Sequence, residues 1–175
     1  MAARELVKHA VYPHPPELVW AALTDGQALA QWLMPNTFRA QRGARFQFRV
    51  DPTGPIGGTV DCEVLELDPP RRMVWSWTIP RLPRRPGPLT TRIEWTLTPE
   101  PGGTRLTLRQ QGVDALPFIF RLMMAFGWGT MLKRWLPRVI AAFDATPEGP
   151  RYRRLDPAPN RGHHRMKTVG PEFYK

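Results

Sequence analysis

The stretch GGTVDCEVLELDPPRRMVWSWTI, residues 57–79, decides the fold. In its first half Val60, Cys62 and Val64 alternate with Thr59, Asp61 and Glu63. In its second half Met73, Trp75, Trp77 and Ile79 alternate with Arg72, Val74, Ser76 and Thr78. Successive side chains of a strand point to opposite faces, so a period of two marks a strand with one buried face and one solvated face. Between the halves stands Asp68-Pro69-Pro70, which is turn chemistry: proline fixes its own φ and has no N–H to give to a sheet. Strands joined this closely pair antiparallel, because a parallel connection needs a crossover of a dozen or more residues.

The same alternation extends in both directions. Upstream, Phe46, Phe48 and Val50 form one apolar side, with Arg45, Gln47 and Arg49 on the other. Downstream, Ile93, Trp95 and Leu97 oppose Arg92, Glu94 and Thr96, and Leu106 and Leu108 oppose Arg105, Thr107 and Arg109. Turn-forming residues separate the segments: Gly57-Gly58, a proline-rich loop from Pro80 to Pro88, and Pro101-Gly102-Gly103. At the front, RELVKHAVY at 4–12 is a further strand. Two short helices follow it. One starts at the Pro15-Pro16 pair, where a missing N–H is harmless, and the other has Asp25 as its N-cap, with Leu29, Trp32 and Leu33 on one face.

The last element of the body is a helix from Leu116 to Thr146. Its apolar stripe, which includes Ile119, Met123, Trp128, Leu132, Trp135 and Val139, is wide enough to require burial along much of its length. Gly127 is expected to let Trp128 approach the sheet closely, and Pro137 to kink the helix or split it. The sum is an α+β fold: a curved antiparallel six-stranded sheet wrapped around a long C-terminal helix, with two short helices after the first strand.

Bulk properties narrow the function classes. A chain of 175 residues suits one domain, and a body of this size buries about 70% of its unfolded surface without a disulfide or metal. The domain is expected over residues 1–146. A basic tail rich in Pro, Gly and Arg is expected over 147–175, extended or disordered, where Arg151, Arg153, Arg154, Arg161, Arg165 and Lys167 offer charge to an anionic partner. The net charge of +10 is dispersed over solvated strand faces, so nucleic acid is not expected as a partner. The opening MAARELVKHAVY has no apolar run of signal-peptide length, and Cys62 is the single cysteine; both fit a cytoplasmic protein. The most apolar run, Leu116 to Leu132, is short for a bilayer and contains Arg121, so no membrane span is expected.

With this order of elements in view, six pieces acquire a common likeness. They are PELVWAALTDGQALAQWLMP at 16–35, GARFQF at 43–48, GGTVDCEVLELDPPRRMVWSW at 57–77, TRIEWTLTP at 91–99, GGTRLTLRQQG at 102–112 and the Gly127-Trp128 pair. Together they resemble the START-like (SRPBCC, helix-grip) superfamily, and within it the branch named after the activator of the heat-shock-protein-90 ATPase. The likeness spans about residues 5 to 143. It implies a mostly apolar cavity between sheet and long helix, of the kind that holds lipids, polyketides or other hydrophobic molecules, sometimes with catalysis.

On that arrangement the cavity walls are Phe46 and Phe48, Cys62 and Val64, Trp75 and Trp77, and Trp95 and Leu97 from the strands, facing Met124, Trp128 and Met131 from the helix. The same residues serve equally as the filling of a solid core. Asp114 and Arg121, near the start of the helix, form a possible polar mouth for a ligand head group, or a surface ion pair. Cys62 reads as a buried inert thiol, since no cation or helix N-terminus neighbours it in sequence. His9, His14, His163 and His164 lack the converging partners a zinc site needs, so no metal or cofactor is expected. No nucleophile elbow, phosphate loop or dinucleotide fingerprint occurs. The leading expectation is binding of a small hydrophobic or aromatic molecule. The alternatives are an enzyme acting on such a molecule (a cyclase, an aldolase-like protein or a hydrolase) and a protein-interaction or co-chaperone-like module.

Overall fold

Alternating apolar positions do become strands, and the strands pair as one antiparallel sheet in the order β1-β6-β5-β4-β3-β2. The computed structural model describes residues 5–50 and 58–161. The strands are β1 (Leu6–Tyr12), β2 (Arg45–Arg49), β3 (Thr59–Asp68), β4 (Arg72–Ile79), β5 (Leu89–Glu100) and β6 (Gly103–Gln111). In the central hairpin Cys62 lies opposite Trp77 and Val64 opposite Trp75, so the apolar sides of β3 and β4 share one face. Residues 162–175, with the tail's His163, His164, Arg165 and Lys167, lie outside the described residues.

The β5–β6 turn shows why glycine is needed there. Gly103 has φ +158, and a Cβ on it would stand 2.0 Å from the carbonyl oxygen of Tyr12 at the end of β1. Only a residue without a side chain lets the hairpin lie this close to its neighbour.

Between β1 and β2 lie α1 (Pro16–Thr24) and α2 (Gly26–Trp32). Asp25 caps α2 as expected, its Oδ1 accepting from the backbone N–H groups of Gln27 and Ala28 at 2.9 Å each.

On the outer face Val74 departs from expectation. It falls on the solvent side of β4 yet is fully buried. Val74 stands in register between Glu66 of β3 and Glu94 of β5, and Arg72 bridges both carboxylates over that position, donating to Glu94 at 2.7 Å. Arg92 adds a second guanidinium on Glu66, at 2.5 Å. The Arg72 and Arg92 side chains stay 36% and 40% exposed, as expected for arginines whose stems lie along a sheet face.

The C-terminal helix ends earlier than its stripe suggests. It runs as α3 (Phe118–Thr130), one π turn (Met131–Trp135) and α4 (Leu136–Ile140), not to Thr146. Pro137 is accommodated in the first turn of α4, directly after the π turn. In the π turn the Leu136 N–H reaches back to the carbonyl of Met131. The next bond of that register would need an N–H on residue 137, which proline lacks; the Leu132 carbonyl it would have used accepts the Tyr12 hydroxyl instead, at 2.7 Å. Beyond the helix, β7 (Phe143–Thr146) and β8 (Gly149–Tyr152) form a separate hairpin, with the rings of Phe143 and Tyr152 5.0 Å apart.

Residues 147–161, which the composition places in the tail, are thus partly strand and partly docked on α2. Gln31 donates to the Leu155 carbonyl at 2.7 Å and accepts from the Leu155 N–H at 2.9 Å and from the Tyr152 hydroxyl. Asn160 donates to the carbonyls of Ala30 and Leu33 at 2.8 and 3.2 Å. The signal was polar rather than periodic: Gln31 and Asn160 are both buried amides, and each meets backbone more than a hundred residues away in sequence.

Candidate functional site

The inward face of the sheet and the helical run meet around a shared aromatic interior. Phe46, Phe48, Cys62, Val64, Trp75, Trp77, Trp95 and Leu97 are all buried there, as are Trp128 and Met131; Met124 is half-buried against their edge. Trp128 joins the two layers, with its ring centroid 5.7 Å from that of Trp77 on β4 and 5.6 Å from that of Trp95 on β5. Along the sheet Trp75 lies 5.3 Å from Trp95, and Phe48 lies 5.3 Å from Trp77. Steep interplanar angles, such as 83° between Trp95 and Trp128, set ring edges against ring faces, the arrangement the aromatic quadrupole favours.

Gly127 does not provide the close approach expected of it. A Cβ there would meet only the Met131 methyl, at 4.0 Å. Trp128 reaches the sheet through its own length.

Polar groups inside this interior are few and specific. Gln110, fully buried on β6, accepts from the Trp128 indole N–H at 3.0 Å and donates to the Thr91 hydroxyl at 2.9 Å. The Trp32 indole donates to the Ala22 carbonyl at 2.9 Å. By contrast, the indole nitrogens of Trp75, Trp77 and Trp95 are buried with no hydrogen-bond partner among the described residues. Gln110, which the sequence reading did not single out, continues the alternation of Leu106 and Leu108, and that spacing is the signal for it. Phe38, whose ring lies 5.0 Å from Phe46 and 5.5 Å from Trp75, comes from an irregular segment with no period to reveal it.

Titratable groups are scarce. Among the described residues no Asp, Glu, Lys, Arg or His is buried as a whole residue. Burial pushes the Cys62 thiol up, and the nearby Asp61 carboxylate pushes it the same way. Burial alone pushes the Tyr12 phenol up. Both groups are therefore held protonated and poorly suited to act as bases near neutrality. No cluster of three His, Cys, Asp or Glu side chains converges among the described residues.

Asp114 and Arg121 are not paired with each other among the described residues. Asp114 is exposed, and the Arg121 guanidinium sits 5.7 Å above the Phe118 ring. Open grooves lie away from both residues, among them one of about 610 Å³ lined by Phe46 and Cys62 together with Gln47, Asp61, Glu63 and Ser76. One of about 790 Å³ runs between the start of α2 and the β7–β8 hairpin, lined by Asp25, Asn36, Arg39, Glu148 and Tyr152 among others. Another of about 360 Å³ lies between β1 and the π turn.

The breadth of the helix stripe also has a different meaning from the one its width suggested. Only one side of α3 enters the core, through Phe120, Met124 and Trp128. Phe118, Ile119, Leu122, Met123 and Phe126 face solvent, Phe118 being 67% and Phe126 74% exposed. The stripe is two faces side by side, and the sheet covers one of them. No described helix is long and apolar enough to cross a membrane.

Comparisons with known proteins agree with this architecture. The crystal structure of MLL2253 from Mesorhizobium loti is 32% identical, with a TM-score of 0.64, over 73% of this chain and 90% of that one. CalU16 from Micromonospora echinospora is 25% identical, with a TM-score of 0.60, over 83% of this chain and 79% of that one. DynU16, a protein of the dynemicin biosynthetic locus, shares the fold at 23% identity and a TM-score of 0.65, over 85% of this chain and 49% of its own. No curated protein matches. Residues 13–135 match the family described as Activator of Hsp90 ATPase homolog 1-like protein, and this chain, with its helix-grip sheet and terminal helix, belongs to that family within the START-like superfamily.

Proposed function

We propose that the protein binds a small aromatic molecule bearing hydrogen-bond acceptors, between the inward face of the sheet and the helical run. The observation that carries this reading is the set of three buried indole donors, Trp75, Trp77 and Trp95, without acceptors among the described residues, in an interior where Trp32 and Trp128 both have one. A buried donor left unmade costs about 1–3 kcal/mol, and native interiors hold few of them. A carbonyl-bearing aromatic guest that parts the edge-to-face contacts of these rings would give such donors an acceptor while replacing ring contact with ring contact. Met131 is buried in the same cluster and Met124 packs against it, and methionine adapts its shape readily when neighbours move. Simple binding is favoured over acid–base catalysis because the buried titratable groups, Cys62 and Tyr12, are both displaced away from neutrality.

The test uses intrinsic tryptophan emission and melting temperature with matched probes, anthraquinone and anthracene. The quinone should change both signals and bind at least about tenfold tighter than the hydrocarbon, the equivalent of one added hydrogen bond. Equal affinity for the two would exclude the indole donors from recognition. Silence with both, extended over a panel of aromatic ketones, would remove the binding reading itself.

A further inference from the structure

The outward side of α3 is a second surface that the interior does not explain. Phe118, Ile119, Leu122, Met123 and Phe126 are each at least half exposed, and they fall within one arc of the helix. Two phenylalanines stand among them at 67% and 74% exposure. Isolated exposed apolar residues are ordinary; a contiguous face of five on one helix marks an interaction site. On the same helical run the charges are all positive. Arg121 holds its guanidinium over the Phe118 ring at 5.7 Å, and beyond the apolar face follow exposed Lys133, Arg134 and Arg138. No acidic residue occurs between Asp114 and Asp144.

We infer that this face of α3 docks the protein on an anionic lipid surface. The apolar side chains enter the boundary between headgroups and acyl chains, and the cations of the helical run meet the lipid phosphates. A helix with aromatic and aliphatic residues on one side and cations beside them lies in such an interface without crossing it. Charge decides between this occupant and a second copy of the chain. Each copy carries +10, so pairing two such faces sets like charge against like, whereas an anionic bilayer supplies the opposite sign over the whole footprint. The inference rests on the exposed face alone and is independent of what the aromatic interior holds.

The experiment is co-flotation of the full chain with vesicles of phosphatidylcholine alone and with 30% phosphatidylglycerol. Binding to the anionic vesicles should exceed that to the neutral ones by at least tenfold, and should fall several-fold when salt is raised from 0.1 to 0.5 M. The variant Leu122→Ser/Phe126→Ser keeps every charge, including those of the C-terminal segment, and alters only exposed positions. It should lose at least tenfold in vesicle binding while its circular dichroism and melting temperature stay unchanged. Undiminished binding by this variant would assign the interaction to charge elsewhere and overturn the role of α3. Failure of the parent chain to float with anionic vesicles would overturn the inference outright. A concentration-dependent dimer abolished by the same two substitutions, in a chain that ignores lipid, would give the face to a second copy instead.

Discussion

Replacing Gln110 by leucine tests how firmly its bond to Trp128 ties the helical run to the sheet, beside the buried Tyr12–Leu132 bond. The two side chains are similar in size, so the change removes hydrogen bonding with little change in volume. Gln110 is fully buried, and its Oε1 is the acceptor 3.0 Å from the Trp128 indole nitrogen. Without it that N–H joins the three indoles already lacking partners, at a cost of about 1–3 kcal/mol. Part is offset, because leucine no longer brings a polar amide into an apolar space. The Thr91 hydroxyl also loses the Gln110 donor and keeps only a long bond to the Trp77 carbonyl, at 3.4 Å. The net expectation is a loss of about 1–2 kcal/mol, which for a chain of this length lowers the melting temperature by about 2–8 °C. Urea unfolding followed by tryptophan emission measures it, with the slope unchanged if only stability moves. A double-mutant cycle with Trp128→Phe isolates the bond from the packing of the indole ring, and the coupling should be about 1 kcal/mol or more. Coupling within about 0.5 kcal/mol of zero, the scatter expected for independent sites, would refute the claim that this bond joins helix to sheet.

Two further outcomes follow from the same structure. Asn160→Ala strips the donors from the Ala30 and Leu33 carbonyls, so the docked segment over α2 should loosen. We expect a loss of about 1–3 kcal/mol and faster tryptic cleavage at Arg151 to Arg161, and an unchanged cleavage rate would show that the segment does not depend on this amide. Glu66 gives a pH signature. Hydrogen bonds from Arg72, then Arg92, hold its carboxyl below the usual range, so its contribution is present above about pH 4.3 and is lost as pH falls through the lowered folded-state value. Glu66→Gln should therefore be less stable than the parent at pH 7, with the gap closing on acidification; a gap constant from pH 7 to pH 2.5 would contradict that linkage.

Much of the architecture was legible because a strand writes its burial into the sequence with a period of two. That Val60, Cys62 and Val64 share a face with Trp75 and Trp77 follows from both alternations facing one core, whereas the pairing of Val64 with Trp75 depends on a register shift between Val64 and Glu66 that the pattern does not show. Gln110 was missed although it is the next inward position after Leu108, because a polar residue there reads as the end of the apolar alternation. Three further features were not legible. Phe38 enters the aromatic cluster from a segment without regular structure, where no period exists to place it. Val74 is buried on the outer face in register between Glu66 and Glu94, beneath an ion-pair network that depends on the register of three strands. The docking of residues 153–161 depends on two amides meeting distant backbone, and a proline-rich basic stretch looks the same whether or not such acceptors await it.

The C-terminal helix shows where pattern and partner come apart. Its apolar residues span two adjacent arcs, and periodicity reports only their combined width. Which arc is buried is set by the sheet, whose curvature offers one aromatic surface to receive one line of knobs: Phe120, Met124 and Trp128 fill it. Phe126 and Trp128, two residues apart, point to opposite environments for that reason, one 74% exposed and the other 3%. The same width that argued for burial thus argues for a second apolar environment once the first is full. A protein that leaves five large apolar side chains in water on one helix accepts a standing aggregation risk, which is easiest to account for when a surface of the right polarity covers them during function.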